Sequence, residues 1–123
     1  MAGINKVILV GNLGRDPELR FTPGDVAVCS FPLATSETYT DKATGERKTV
    51  TEWHHIVLWR KLAEHAERHL HKGSTIYLEG KLRSRNWVDA QGQERHITEV
   101  IGDTLQMLDK RSGGAIPPPE TNP

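Results

Sequence analysis

The chain has 123 residues, of which 36% are hydrophobic and 26% charged, so it is one ordinary globular domain with little room for a second. Sixteen lysines and arginines balance sixteen acids, and this zero formal charge gives no pointer to nucleic acid. A polyanion would have to be met by cations grouped on one surface.

No apolar run approaches the roughly 20 residues that span a bilayer. The start, Met1-Ala2-Gly3-Ile4-Asn5-Lys6, leads straight into an apolar stretch without a signal-peptide layout. A single cysteine, Cys29, excludes an internal disulfide. The expectation is a cytoplasmic protein.

Strand signals open the chain. Residues 4–10 (INKVILV) are rich in β-branched side chains, and Gly11-Asn12-Leu13-Gly14 reads as the turn that ends them. Asp16-Pro17 marks another break. After Pro23-Gly24-Asp25, residues 26–35 (VAVCSFPLAT) form a second run, in which Pro32 predicts an edge strand or a bulge. The polar segment 40–48 reads as a hairpin tip or long loop, and strand patterning resumes over 50–59 (VTEWHHIVLW).

Residues 60–71 (RKLAEHAERHLH) are the convincing helix, with Leu62, Ala63, Ala66, His69 and Leu70 on its apolar side and Gly73 placed as a C-terminal cap. Thr75–Val88 is a long alternating strand, Asp89-Ala90-Gln91-Gly92 a turn, and 95–101 and 104–108 are two further short strands. The expected domain is 1–109, and the Gly- and Pro-rich remainder, 110–123, is expected to be a disordered stub. Strands, one helix and more strands exclude a doubly wound parallel sheet. They predict an all-β oligonucleotide/oligosaccharide-binding (OB) fold: a five-stranded Greek-key barrel with one helix between its third and fourth strands.

Within Thr75–Val88, the even positions Ile76, Leu78, Gly80, Leu82 and Val88 read as a core side. The odd positions Lys81, Arg83, Arg85 and Trp87 then project together. Three cations and an indole in line suit a nucleic-acid strand, the cations for phosphates and the ring for a base. A solvated face with a half-buried tryptophan is the alternative. In the preceding strand Trp53, His55, Val57 and Trp59 share one face, and His54, Ile56 and Leu58 the other. Two indoles on one side either meet a ligand or fill the barrel. Tyr39 stands at the root of the polar loop, near Lys42, Arg47 and Lys48.

Stacking a base on an aromatic ring is worth about 1–3 kcal/mol, whatever the base. Duplex bases are already stacked, so a single strand is the fitting ligand. Phosphate contacts add a salt dependence of about −0.7 in log–log slope for each one.

Taken together, residues 5–20 (NKVILVGNLGRDPELR), 33–46 (LATSETYTDKATGE), 51–64 (TEWHHIVLWRKLAE), 70–87 (LHKGSTIYLEGKLRSRNW) and 104–111 (TLQMLDKR) closely resemble the bacterial single-stranded DNA-binding protein family. The resemblance runs in order over about residues 1–111. It implies an OB fold, a homotetramer, and a non-catalytic role coating single-stranded DNA in replication, recombination and repair.

It further implies that Trp53, Trp59, Trp87 and Tyr39 stack bases. Some members carry tryptophan at the place of Tyr39, and many carry phenylalanine at that of Trp59. Lys42, Arg60, Lys61, Lys72, Lys81, Arg83 and Arg85 are the expected phosphate contacts, and His54 and Tyr77 match positions of subunit contact. No cofactor and no metal are expected.

The resemblance departs at the C-terminus. Family members continue to an acidic tip ending in Pro-Phe, which recruits replication and repair proteins, whereas this sequence ends Pro119-Glu120-Thr121-Asn122-Pro123. A shortened form is expected; a variant without the recruiting role is the alternative.

Other chemistries fit less well. His65 and His69 stand four apart on the helix, but Glu64 precedes them rather than following the first, and no third ligand is evident. Cys29 lies in an apolar strand without a basic partner and reads as a structural thiol. Gly11-Asn12-Leu13-Gly14 lacks the Lys-Ser/Thr of a phosphate loop. A primosome accessory role or an RNA-binding module stays open on stacking alone, because that choice turns on the 2′-hydroxyl.

Overall fold

The computed structural model describes residues 2–108; the expected stub, 110–123, and the domain boundary at 109 lie outside the described residues. The elements are β1 (Val7–Leu13), β2 (Glu18–Phe21), β3 (Ala27–Thr40), β4 (Arg47–Trp59), α1 (Arg60–His69), β5 (Thr75–Val88) and β6 (Glu94–Met107). The strands run in the order β1-β5-β6-β4-β3-β2, and a further β1–β3 pairing closes the ring. All pairings are antiparallel except β4 with β6.

Two of these segments are halves of one strand. β1 meets β3 at Leu33 and Ala34, and β2 meets it at Ala27 to Ser30, with the break between them. Counted this way the barrel has five strands, and the helix follows the third, as an OB fold requires. Pro32 sits where the break leaves that edge of β3 unpaired, so its missing N–H interrupts no ladder there. Its carbonyl instead accepts from Gly14 N at 2.9 Å.

Alternation builds the core. Cys29, Phe31 and Leu33 from β3, Ile56 and Leu58 from β4, and Ile76 and Leu78 from β5 are fully buried. Each large aliphatic side chain hidden this way contributes roughly 1.5–3 kcal/mol. The helix packs on β2, β3 and β4 through small residues, Ala63 and Ala66, both fully buried, and Leu70 just after it is nearly so.

The structure corrects the sequence reading in several places. Gly11 is not a turn: β1 runs on to Leu13, and a side chain at Gly11 would collide with the backbone carbonyl of Ala34. The predicted 40–48 loop shrinks to 41–46, because β3 and β4 extend as a hairpin whose polar faces both meet water and so hide the strand pattern. The helix stops at His69, with Leu70 extended; Gly73 (φ 92°) serves the next turn instead of capping. His69 is exposed rather than on the apolar side.

Leu82 and Val88 are 49% and 66% exposed, so they are not core. β5 is exposed beyond Gly80, and past the Arg83–Glu99 pair the two strands leave the barrel as a hairpin. The two short strands expected at 95–101 and 104–108 are one strand, β6, kinked by a bulge. Glu79 pairs with Thr104 and Gly80 with Gly102, leaving Asp103 as the extra residue. The bulge resets the parity, which lets both Val100 and Leu105 pack on the core.

Candidate nucleic-acid interface

Cross-strand register turns the outer face into rows of neighbours. Arg20, Val28 and Trp59 form one row across β2, β3 and β4. Ser30 and Val57 continue to Ile101 and Lys81 on β6 and β5. His55 follows Pro32, and Arg83 lies opposite Glu99. Beyond these, Trp53 faces Ala34 and Arg85 faces Ile97.

These rows enclose an open groove of about 480 Å³. Its floor is apolar, from Val28, Val57 and Ile101, and Trp59, Arg20, Arg83 and Arg85 stand around it. Large rings are left open to water: Trp53 is 61% exposed, Trp87 46% and Trp59 39%. Burial therefore excludes the barrel-filling alternative for these rings. Phe31 and aliphatic side chains fill the interior, and no indole does.

Trp53 leans on a gap in the backbone. A Cβ at Gly14 would stand 2.5 Å from its Cζ3, and Pro32 adjoins the same spot. The ring thus packs over Gly14 while most of its surface stays open to water. Trp87 lies further out on the β5–β6 hairpin, opposite Arg95, whose Nε donates to Asp89 at 2.9 Å. Asp89 also accepts from the Gln91 and Gln93 amides, and these amides together with Arg95 hold its carboxyl below the usual carboxylate range.

Not every predicted cation stands free in the groove. Arg85 is engaged with Glu99 through Nη2 at 3.0 Å and Nε at 3.4 Å, and this acid raises its already high pKa. Glu99 is 5% exposed and also lies 3.4 Å from His55 Nε2. Arg83 makes no ion pair among the described residues. Arg60 and Lys61 line a second hollow on the helix side of Trp59, together with Asp25 and Glu64. Lys72 sits in the turn after α1, its N–H donated to Asp16, and Lys42 is exposed in the 41–46 loop.

Tyr39 is separated from the tryptophans of β4. It pairs with Lys48, on the set of positions that includes Leu33 and His54, whereas Trp53 pairs with Ala34 on the opposite set. His54 turns to the barrel side and shares a 2.8 Å hydrogen bond with Thr35 Oγ1. Tyr77 is on the outside of β5, where its hydroxyl donates to Glu79 and Lys6 reaches the same carboxylate at 2.8 Å. Lys6 first and Tyr77 second hold Glu79 below its ordinary pKa, and Glu79 in turn raises both partners. Ile8 and Val10, 57% and 53% exposed, pair with Glu79 and Tyr77 and complete an apolar strip there.

Sequence reasoning missed Arg20, Glu99, Ile101 and Gly14, and placed His55 on the face of the tryptophans without giving it a role. The period-two pattern of β6 could have put Ile97, Glu99 and Ile101 on one face. Nothing local says which strand that face would meet. Elsewhere, the rings of His65 and His69 are 4.6 Å apart, and no set of three or more potential metal ligands occurs among the described residues. Burial pushes the Cys29 thiol up to about 11.

Residues 4–108 match the model of the single-strand binding protein family. A solved structure of Plasmodium falciparum SSB in complex with ssDNA superposes with a TM-score of 0.79 at 35% identity, covering 89% of this chain and 98% of that one.

Proposed function

Because the chain belongs to the single-strand binding protein family and binds single-stranded DNA, we propose that it holds the strand along the outer face that carries Trp53, Trp59 and Trp87. The family's roles in DNA replication, recombination and repair are this chain's roles, and the family is a non-catalytic one. The observation that carries the proposal is a set of three indoles left open to water beside an apolar-floored groove with arginines at its rim. Bases stack on the rings, and Lys81 and Arg83 take phosphates, with Lys42, Arg60, Lys61 and Lys72 as outlying contacts. Arg85 contributes through its pair with Glu99, and Tyr39, on the opposite face of its hairpin, contributes least.

The same reading assigns assembly into a homotetramer. The exposed Ile8 and Val10, flanked by Tyr77 and the Lys6–Glu79 pair, support self-association of this strip, because such a surface is unfavourable to leave in water. His54 joins the subunit contacts on the family pattern alone. Among the described residues no helix is long and apolar enough to cross a membrane; the proposed site of action is the bacterial cytoplasm, at the nucleoid.

Tryptophan fluorescence titrated with oligothymidine and with a duplex of equal length, at matched salt, tests the proposal. Strong quenching by the single strand and little by the duplex is expected. Equal weak responses would remove the indoles from the binding surface.

A further inference from the structure

Glu99 is the one acid among the residues lining the groove, and it is almost wholly buried. A carboxylate there opposes phosphate binding and is unfavourable to desolvate, so its presence needs a reason. Its surroundings supply one. Arg85 grips it with two donors, at 3.0 and 3.4 Å, and His55 Nε2 stands 3.4 Å from the same Oε2 that Arg85 Nη2 holds.

We propose that Glu99 is a positioning residue for DNA binding, holding Arg85 and the imidazolium form of His55 in the groove, and that His55 takes up a proton when the strand binds. The inference rests on the single-strand reading above. Glu99 and Arg85 together carry no net charge, so the group becomes cationic only when His55 is protonated. Histidine is the side chain whose charge ordinarily changes between about pH 5 and 8.

The charges facing His55 are few. β6 brings Glu99, which favours the proton, and β5 brings Arg83 and Arg85, which oppose it. β3 brings only the uncharged Pro32 and Ser30, and β2 adds the more distant Arg20. A phosphate lying in the groove adds a second anion and tips the balance towards the imidazolium. By linkage, affinity for the strand then rises as pH falls through the His55 titration. The His55 side chain is 34% exposed, open enough to exchange its proton and meet a phosphate.

The experiment is an oligothymidine titration of the full chain, read by tryptophan quenching at about pH 6 and about pH 8 and repeated across salt concentrations. Binding at the lower pH is expected to be tighter by on the order of fivefold, the strength of one partly exposed ion pair. The log–log salt slope should steepen by about 0.7, one further phosphate contact. His55→Gln removes both gains. Glu99→Gln shrinks them because the imidazolium loses its anion, which a carboxylate with a merely structural role would not do. If Glu99→Gln does not fold, His55→Gln decides alone. An affinity independent of pH, or an unchanged pH profile in His55→Gln, overturns the inference and leaves single-strand binding standing. Absence of quenching at either pH overturns that reading and the inference with it.

Discussion

The indole of Trp53 occupies the space that a side chain on Gly14 would need: a Cβ there would lie 2.5 Å from Cζ3 and 2.8 Å from Cη2. Gly14 is not required for its backbone angles, since its φ is outside the left-handed region. It is required because an exposed aromatic ring packs against it through Cζ3 and Cη2. Trp53 remains 61% exposed, which leaves ring surface for a base.

Gly14→Ala is accordingly expected to displace the Trp53 ring and weaken oligothymidine binding, by up to the roughly 1–3 kcal/mol that one stacked base is worth. Thermal stability should change little, because alanine fits the backbone. A double-mutant cycle with Trp53→Ala should be strongly non-additive, the two changes removing one interaction. Additive losses would mean that Gly14 acts elsewhere.

Trp53 and Tyr39 belong to opposite faces of the β3–β4 hairpin. Trp53→Ala should therefore weaken binding by about 1–3 kcal/mol, and Tyr39→Ala by well under ~1 kcal/mol. Isothermal titration of both variants with the same oligonucleotide measures the difference. Equal losses would show that the bound strand wraps the hairpin and meets both faces.

Arg83 and Arg85 are two residues apart but differently engaged. Arg83→Ala should lower the magnitude of the log–log salt slope by about 0.7, with stability hardly altered. Arg85→Ala should change the slope less, and lower the melting temperature, because it leaves the buried Glu99 with His55 alone. Removing one partner of a buried ion pair costs about 3–5 kcal/mol, and less here because Arg85 is half exposed and His55 still adjoins Glu99. Salt-titrated binding together with thermal melts separates the two effects.

Ile8 and Val10 are predicted to bury their side chains in the assembled protein. Replacing both with lysine should shift sedimentation from the proposed tetramer to smaller species while leaving the circular dichroism spectrum intact. Both residues are exposed on the outer side of β1, so the barrel interior does not depend on them. An unchanged tetramer would move the interface to another surface.

Several features were legible because they are local. The alternation of Cys29, Phe31 and Leu33, and of Ile56 and Leu58, fixes which side of each strand enters the core. The same period puts Trp53 with Trp59, and Arg83 with Arg85, before any pairing is known. The helix and the Asp89 turn were likewise readable from spacing and turn residues. Where a strand leaves the barrel, the rule fails: Leu82 and Val88 keep the core-side parity but have no core beside them.

The sequence alone determined the strand faces, the single helix, the OB class and the family resemblance, because each follows from side-chain period or residue-by-residue likeness along the chain. Only the tertiary structure decided which faces meet. The strand break that seats Pro32, the Asp103 bulge that resets β6, Gly14 beneath Trp53 and Glu99 between His55 and Arg85 all join residues distant in sequence. Register and crossing fix such contacts, and these are set by closure of the whole barrel, since no segment carries the position of its partner.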